Sequence, residues 1–254
     1  MKSSPISFFL MIGFFTRLPV PKVEFTEERF RKSMVLMPLV GLVIGAILLL
    51  IQWLLNWIET PPIIMGAVLT GAYVFLTGGL HLEGLGDTCD GVFSGRSRER
   101  SLEIMKDSRI GVFGTLGIFM TGLMYFALFT EITFFSLLIF PVVGRACCLI
   151  SASMAPYARE EGMGKATSSQ GGPGSVISAV ISIVGASFLA MIFFDMPTVV
   201  MSLIVASAAI LVTVLITFKF KNKLGGVTGD TFGAVIELSS LVFVFCFIII
   251  GKVL

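Results

Sequence analysis

Glu83, Asp87 and Asp90 stand at positions i, i+4 and i+7, and on a helix of 3.6 residues per turn that spacing places three carboxylates on one face. Like charges on one stripe repel, so the arrangement needs a strong positive partner. Clustered hard oxygen donors suit Mg²⁺ or Mn²⁺. Asp107 offers a fourth carboxylate from a second helix, which makes Glu83, Asp87, Asp90 and Asp107 the candidate metal ligands. The bland alternative is a solvated loop whose acids pair with Arg96, Arg98, Arg100, Lys106 and Arg109. The setting favours chemistry: Glu83 follows directly on an apolar run, and acids at a membrane boundary are functional by default.

The elements that must carry these groups are hydrocarbon-like. Of the 254 residues, 56% are hydrophobic and 13% charged, against roughly 25% charged in soluble domains, so the chain reads as one all-α, polytopic membrane helical bundle spanning residues 1–254. Apolar segments of membrane length fall at residues 34–58, 61–82, 111–130, 132–154, 174–194, 197–218 and 233–254, which predicts about seven transmembrane helices. Ahead of them, Ile6–Phe15 is too short to cross and is expected to form an interfacial or re-entrant helix. Every Lys and Arg except Arg145 and Lys252 lies in the N-terminus or in the long joints at residues 22–32, 83–110, 155–173 and 219–230, which places those joints in the cytoplasm. The four cysteines form no C-x-x-C pair and His81 is the only histidine, so metal chemistry must rest on carboxylates. Nothing in the charge distribution points to a nucleic acid.

Further polar groups interrupt the apolar runs. Arg145 sits within Phe140–Ile150 and should face the bundle interior, since an unpaired charge there is costly. The loop Tyr157–Lys165 mixes charge with glycine, and Lys219, Lys221 and Lys223 form a basic knob suited to anionic lipid or to phosphate. Gly225–Gly233, reading GGVTGDTFG, opens the last span, so Thr228 or Asp230 is expected to cap that helix, whose amides favour anions. Glu237 lies two turns beyond Asp230 on the same face, already in apolar sequence.

The runs GGLHLEGLGDTCDG (Gly78–Gly91) and RSRERSLEIMKDSRIG (Arg96–Gly111) carry a resemblance, together with TRLPVP, PLVG, PYAREEGMG, GGVTGD and IEL elsewhere in the chain. They closely resemble the cobalamin synthase family, the adenosylcobinamide-GDP ribazoletransferases, over essentially the whole length. The resemblance implies a Mg²⁺-dependent transferase, with Mn²⁺ as an alternative ion, in the bacterial cytoplasmic membrane with its site on the cytoplasmic side. It implies that the enzyme joins adenosylcobinamide-GDP to α-ribazole or its 5′-phosphate, releases GMP and completes the cobamide nucleotide loop; an oligomer is compatible with it. On this comparison Glu83, Asp87, Asp90, Asp107 and Asp230 are the catalytic candidates. Arg96, Arg100, Lys106, Arg145, Arg159, Thr228 and Glu237 are the candidate substrate contacts. Asp87-x-x-Asp90-Gly91 also looks like the opening of the CDP-alcohol phosphotransferase signature, with Asp107 in the third aspartate's place. Gly111 stands where that signature's base would be, which leaves Glu83 or Asp230 for the role. A lipid-type CDP-alcohol phosphotransferase and a divalent-cation transporter are the competing readings.

Overall fold

The computed structural model describes residues 5–162, 164–168, 172–192 and 194–253; Met1–Ser4, Met163 of the middle loop, residues 169–171, Phe193 and Leu254 lie outside them. All regular structure described is helical apart from one isolated parallel bridge between Tyr157 and Val227. In chain order the helices are α1 (Pro5–Phe15), α2 (Glu27–Ser33), α3 (Met37–Trp57), α4 (Pro62–Thr77), α5 (Leu80–Phe93), α6 (Arg98–Ile104), α7 (Val112–Phe129), α8 (Phe134–Met154), α9 (Gly164–Ser168), α10 (Pro173–Leu189), α11 (Met196–Leu224) and α12 (Gly229–Val253).

Five helical stretches are long and apolar enough to cross a membrane: Glu27–Trp57, Val112–Phe129, Phe134–Met154, Met196–Leu224 and Gly229–Lys252. A sixth arises if α4 and α5, bent by 88° at their junction, count as one broken span. The expected count of seven is therefore not confirmed. The differences are that bend and α10, whose 17 residues fall short of the ~20 needed to cross untilted. The 11-residue α1 is likewise too short to span. The protein is a multi-pass membrane protein: Leu50, Trp53, Phe75, Phe119, Ile204 and Leu211 are large apolar side chains left on its outer face, and apolar patches on that scale mark a membrane surface.

Helix α8 is the central post. From Phe135 to Ala152 nearly every side chain on it is buried, including Arg145, and α3, α10, α11 and α12 pack around it. Buried polar groups on these helices find local partners where the sequence supplies them. The Thr217 hydroxyl of α11 donates to Ser151 Oγ of α8 at 2.8 Å, and Gln52 of α3 donates to the Ile132 carbonyl at 2.9 Å.

The α4–α5 bend is a two-glycine corner. Gly78 ends α4 at φ +62° and Gly79 begins α5 at φ +71°, both in the left-handed region that costs an L side chain roughly 1–2 kcal/mol. The corner is clamped from outside. The Arg17 N–H donates to the Leu76 carbonyl at 2.8 Å, and the Arg17 side chain lies against Gly78 so closely that a Cβ there would come 2.3 Å from Nε. The TRLP segment thereby fixes the direction in which α5 leaves α4.

Gly78→Ala is expected to lower the thermal midpoint of the detergent-solubilised protein by the equivalent of at least ~1–2 kcal/mol. Gly71→Ala, in the same helix with no atom within 4 Å of the added Cβ, should be neutral or stabilising. Equal midpoints for the two variants would mean that the corner is not under this constraint.

Candidate active site

The cavity of about 250 Å³ that opens beside α5 is lined by Glu83, Asp87 and His81 from α5, by Asp230, Phe232, Gly233 and Ile236 from α12, and by side chains of α1, α2, α3, α8 and α9. Two helices thus bring acids to one rim. The sequence sets them so close because Gly84 and Gly233 meet where α5 crosses α12. A Cβ at Gly84 would stand 2.9 Å from the Asp230 carbonyl oxygen, and one at Gly233 would stand 2.8 Å from that of His81. Neither position tolerates a side chain without moving the backbone of the other helix.

The start of α12 is built by its own hydroxyls. Thr231 N–H donates to Thr228 Oγ1 at 3.2 Å and Thr228 N–H donates to Thr231 Oγ1 at 2.7 Å, a reciprocal cap in which a threonine takes the place usually held by Glu or Gln. Thr228, expected as a substrate contact, is fully buried in this cap. Asp230 is left free of capping and turns to the cavity, where Arg159 Nη2 donates to its Oδ2 at 2.7 Å. Arg159 comes from the middle loop, which is held in register with the start of α12: Ala158 N–H donates to the Val227 carbonyl at 2.8 Å and Val227 N–H to the Pro156 carbonyl at 2.9 Å. Arg98 of α6, which the sequence reading passed over as a site residue, locks the same junction by donating to the Leu224 carbonyl at 2.8 Å and the Ala158 carbonyl at 3.2 Å.

Not all the expected acids gather here. Asp87, half-buried, feels the charges of Asp230, Glu83 and Asp90, with Arg159 as the opposing cation. Asp90 is buried and spoken for: its two oxygens accept the N–H groups of Gly111 at 2.7 Å and Gly114 at 2.8 Å, so it caps α7 from the neighbouring helix. Asp107 is outside the cavity lining. It pairs with Arg109, whose Nη2 lies 2.7 Å away, and these hydrogen bonds hold its carboxyl down at about 2. Arg96 and Arg100 are exposed; Arg100 donates to Glu103 at 2.8 Å, and the Arg96 carbonyl accepts from Lys223 at 2.7 Å. Lys106 and Arg159 share a shallow charged recess with Arg98, Glu99, Glu103, Glu160 and Glu161.

Arg145 and Glu237 lie behind the cavity wall and are fully buried. Glu237 accepts hydrogen bonds from Tyr125 at 2.7 Å and Tyr73 at 3.2 Å, and His81 Nδ1 stands 3.9 Å from it. Arg145 donates through Nη1 to the Pro141 carbonyl at 3.1 Å, while its Nε and Nη2 and both His81 nitrogens have no partner. Tyr73, Tyr125 and His81 were missed or set aside in the sequence. The available signal was the same as for Arg145: a polar atom within an apolar run requires a partner.

A family model described as cobalamin-5-phosphate synthase matches residues 7–248. The chain belongs to this family. Among its relatives, the adenosylcobinamide-GDP ribazoletransferase of Acetivibrio thermocellus is 42% identical over 94% of this chain and 95% of its own. Proteins of the same name from Clostridium acetobutylicum (41% identity; 91% and 90% covered) and Escherichia coli K12 (37%; 93% and 96%) are similar over nearly full length. No solved structure matches. The protein is thus a transferase of cobalamin synthesis, and the cation-transporter alternative falls away.

The geometry separates two aspartates that the sequence reading treated alike. Asp90→Asn turns an NH₂ group toward an amide donor and should destabilise the fold by ~1–3 kcal/mol. Asp87→Asn, which removes one of several crowded negative charges, should leave the thermal midpoint unchanged or raised. The reverse ranking of midpoints would contradict these assignments.

Proposed function

We propose that the chain joins adenosylcobinamide-GDP to α-ribazole or its 5′-phosphate and releases GMP, with Glu83, Asp87, Asp230 and Arg159 forming the reacting rim. The observation that carries this reading is the convergence of acids from α5 and α12 on one cavity in a chain whose relatives bear the ribazoletransferase name. The donor named in those relatives' activity contains a nucleoside diphosphate, and a diphosphate approaching three carboxylates needs its charge neutralised.

Mg²⁺ is the ion the family implies, and the rim fits it by donor type. Among the described residues no three His, Cys, Asp or Glu side chains close into a ready-made ligand shell. Mg²⁺ does not require one, because it is usually held by one or two carboxylates together with substrate phosphates. Asp87 and Asp230, with Glu83 beside them, would hold it, in place of the expected set that included Asp90 and Asp107. Bound there, the ion would neutralise the diphosphate as negative charge grows on the departing phosphate.

The protein's own groups supply position and proton transfer. Arg159, already at hydrogen-bond distance from Asp230, presents a fork-shaped donor suited to phosphoryl oxygens. A rim carboxylate, Glu83 or Asp230, takes the proton of the acceptor's ribose hydroxyl. The hydroxyl oxygen bonds to the phosphorus carrying the cobinamide arm, the bond from that phosphorus to the bridging oxygen breaks, and the electron pair leaves with GMP. The reaction requires both substrates at once, since no side chain of the rim is placed as a phosphate-accepting nucleophile in this scheme.

In the bilayer, the chain crosses the bacterial cytoplasmic membrane with α10 and the α4–α5 pair completing seven spans, and the rim faces the cytoplasm. The segregation of Lys and Arg into the long joints supports that orientation.

With purified protein in nanodiscs, both substrates and varied Mg²⁺, the parent should release GMP in strict proportion to product and show sequential kinetics. Asp87→Asn should lose ~10²–10³ in turnover, the usual effect of removing one group that stabilises transition-state charge. Release of GDP, or parallel-line kinetics, would overturn the mechanism.

A further inference from the structure

Away from the acids, the cavity changes character. Its inner wall is made by Phe14 and Phe15 at the end of α1, Phe30 of α2, Met34 and Met37 at the approach to α3, and Cys148 of α8. The rings form a cluster: the Phe14 and Phe30 centroids are 4.7 Å apart at 63°, Phe14 and Phe15 4.8 Å apart at 77°, and Phe15 lies 6.0 Å from His81. A volume of about 250 Å³ suits a bicyclic aromatic group and is far too small for a corrin macrocycle with its side arms. The two ends of this one cavity, apolar and aromatic within and acidic at the rim, match a nucleoside whose base is a flat hydrocarbon-like heterocycle and whose ribose hydroxyl must reach the rim.

Resting on the function proposed above, we infer that this inner compartment is the base-binding subsite of the acceptor and seats the benzimidazole of ribazole. Phe14, Phe30 and Met34 set the size of base admitted. His81 lines the cavity, but both of its ring nitrogens are sealed inside the protein, so it adds a flat wall and the base is held by shape and dispersion. Methionine and phenylalanine walls grip a flat ring through dispersion and edge contacts. On this assignment α1 and α2, which stand apart from the acids in sequence, are specificity elements, and the corrinoid stays outside with only its phosphorylated arm at the rim.

The test is steady-state kinetics of the full chain in nanodiscs with α-ribazole and, separately, an α-riboside of unsubstituted imidazole as acceptors. Met34→Phe, which fills the compartment, should raise KM for α-ribazole by at least about tenfold. It should change KM for the imidazole riboside much less and leave KM for the cobinamide donor within about twofold. Phe14→Leu, at a partly exposed position that tolerates truncation, should weaken α-ribazole with the same selectivity, so the inference does not hang on one variant folding. Equal effects on both acceptors, or a rise in donor KM in place of acceptor KM, would overturn it. So would unchanged kinetics accompanied by loss of a co-purified lipid, which would make the compartment an acyl-chain groove. A parent that turns over neither acceptor would sink the underlying function, whereas an active parent with unselective variants sinks the subsite alone.

Discussion

The contact of Gly84 with Gly233 decides where everything polar in this protein can stand. It lets the backbone of α5 rest on that of α12, and Glu83 and Asp87 come to share a rim with Asp230 as a result. In a bilayer such close approach is a principal source of helix affinity, because lipid tails offer no hydrophobic drive to association and packing must do the work. The 88° corner at Gly78 and Gly79 serves the same end. A straight continuation of α4 would carry the acids away from α12, whereas the turned α5 lays them across its N-terminus.

Below that contact runs a buried polar layer. Glu237 of α12 binds Tyr73 of α4 and Tyr125 of α7, so one carboxylate ties α12 to the long helices that precede and follow the α5–α6 segment. Breaking such a layer from one side is expensive, since it leaves a buried charge without its partners. Arg145 and His81 complete the layer with donors still unmatched. The layer positions the elbow that carries the acids, and its members meet the cavity only through His81.

Much of this was legible in the sequence. The one-face spacing of Glu83 and Asp87 was realised, as were the helical class, the placement of Asp230 at the start of the last helix beside them and the interior placement of Arg145. The spacing rule failed at Asp90 because it gives a face and not a partner. Seven residues along a helix is roughly 10 Å of rise, enough to carry Asp90 past the cavity to the amides of Gly111 and Gly114. Asp107 could not be placed from its number alone, and the arginine two residues on claimed it first. The corner at Gly78 and Gly79 was visible only as glycine content, since backbone direction depends on Arg17, some sixty residues earlier in the chain. The cavity's aromatic wall read as ordinary apolar sequence because its parts come from helices that meet only in three dimensions.

The central claim, that the reacting rim is built from α5 and α12 and not from α5 and Asp107, is tested most directly by Mn²⁺ binding followed by electron paramagnetic resonance in the presence of GMP. Asp87→Asn and Asp230→Asn should each weaken binding by an order of magnitude or more, while Asp107→Asn binds like the parent. Loss of binding in Asp107→Asn with Asp230→Asn unaffected would contradict the account.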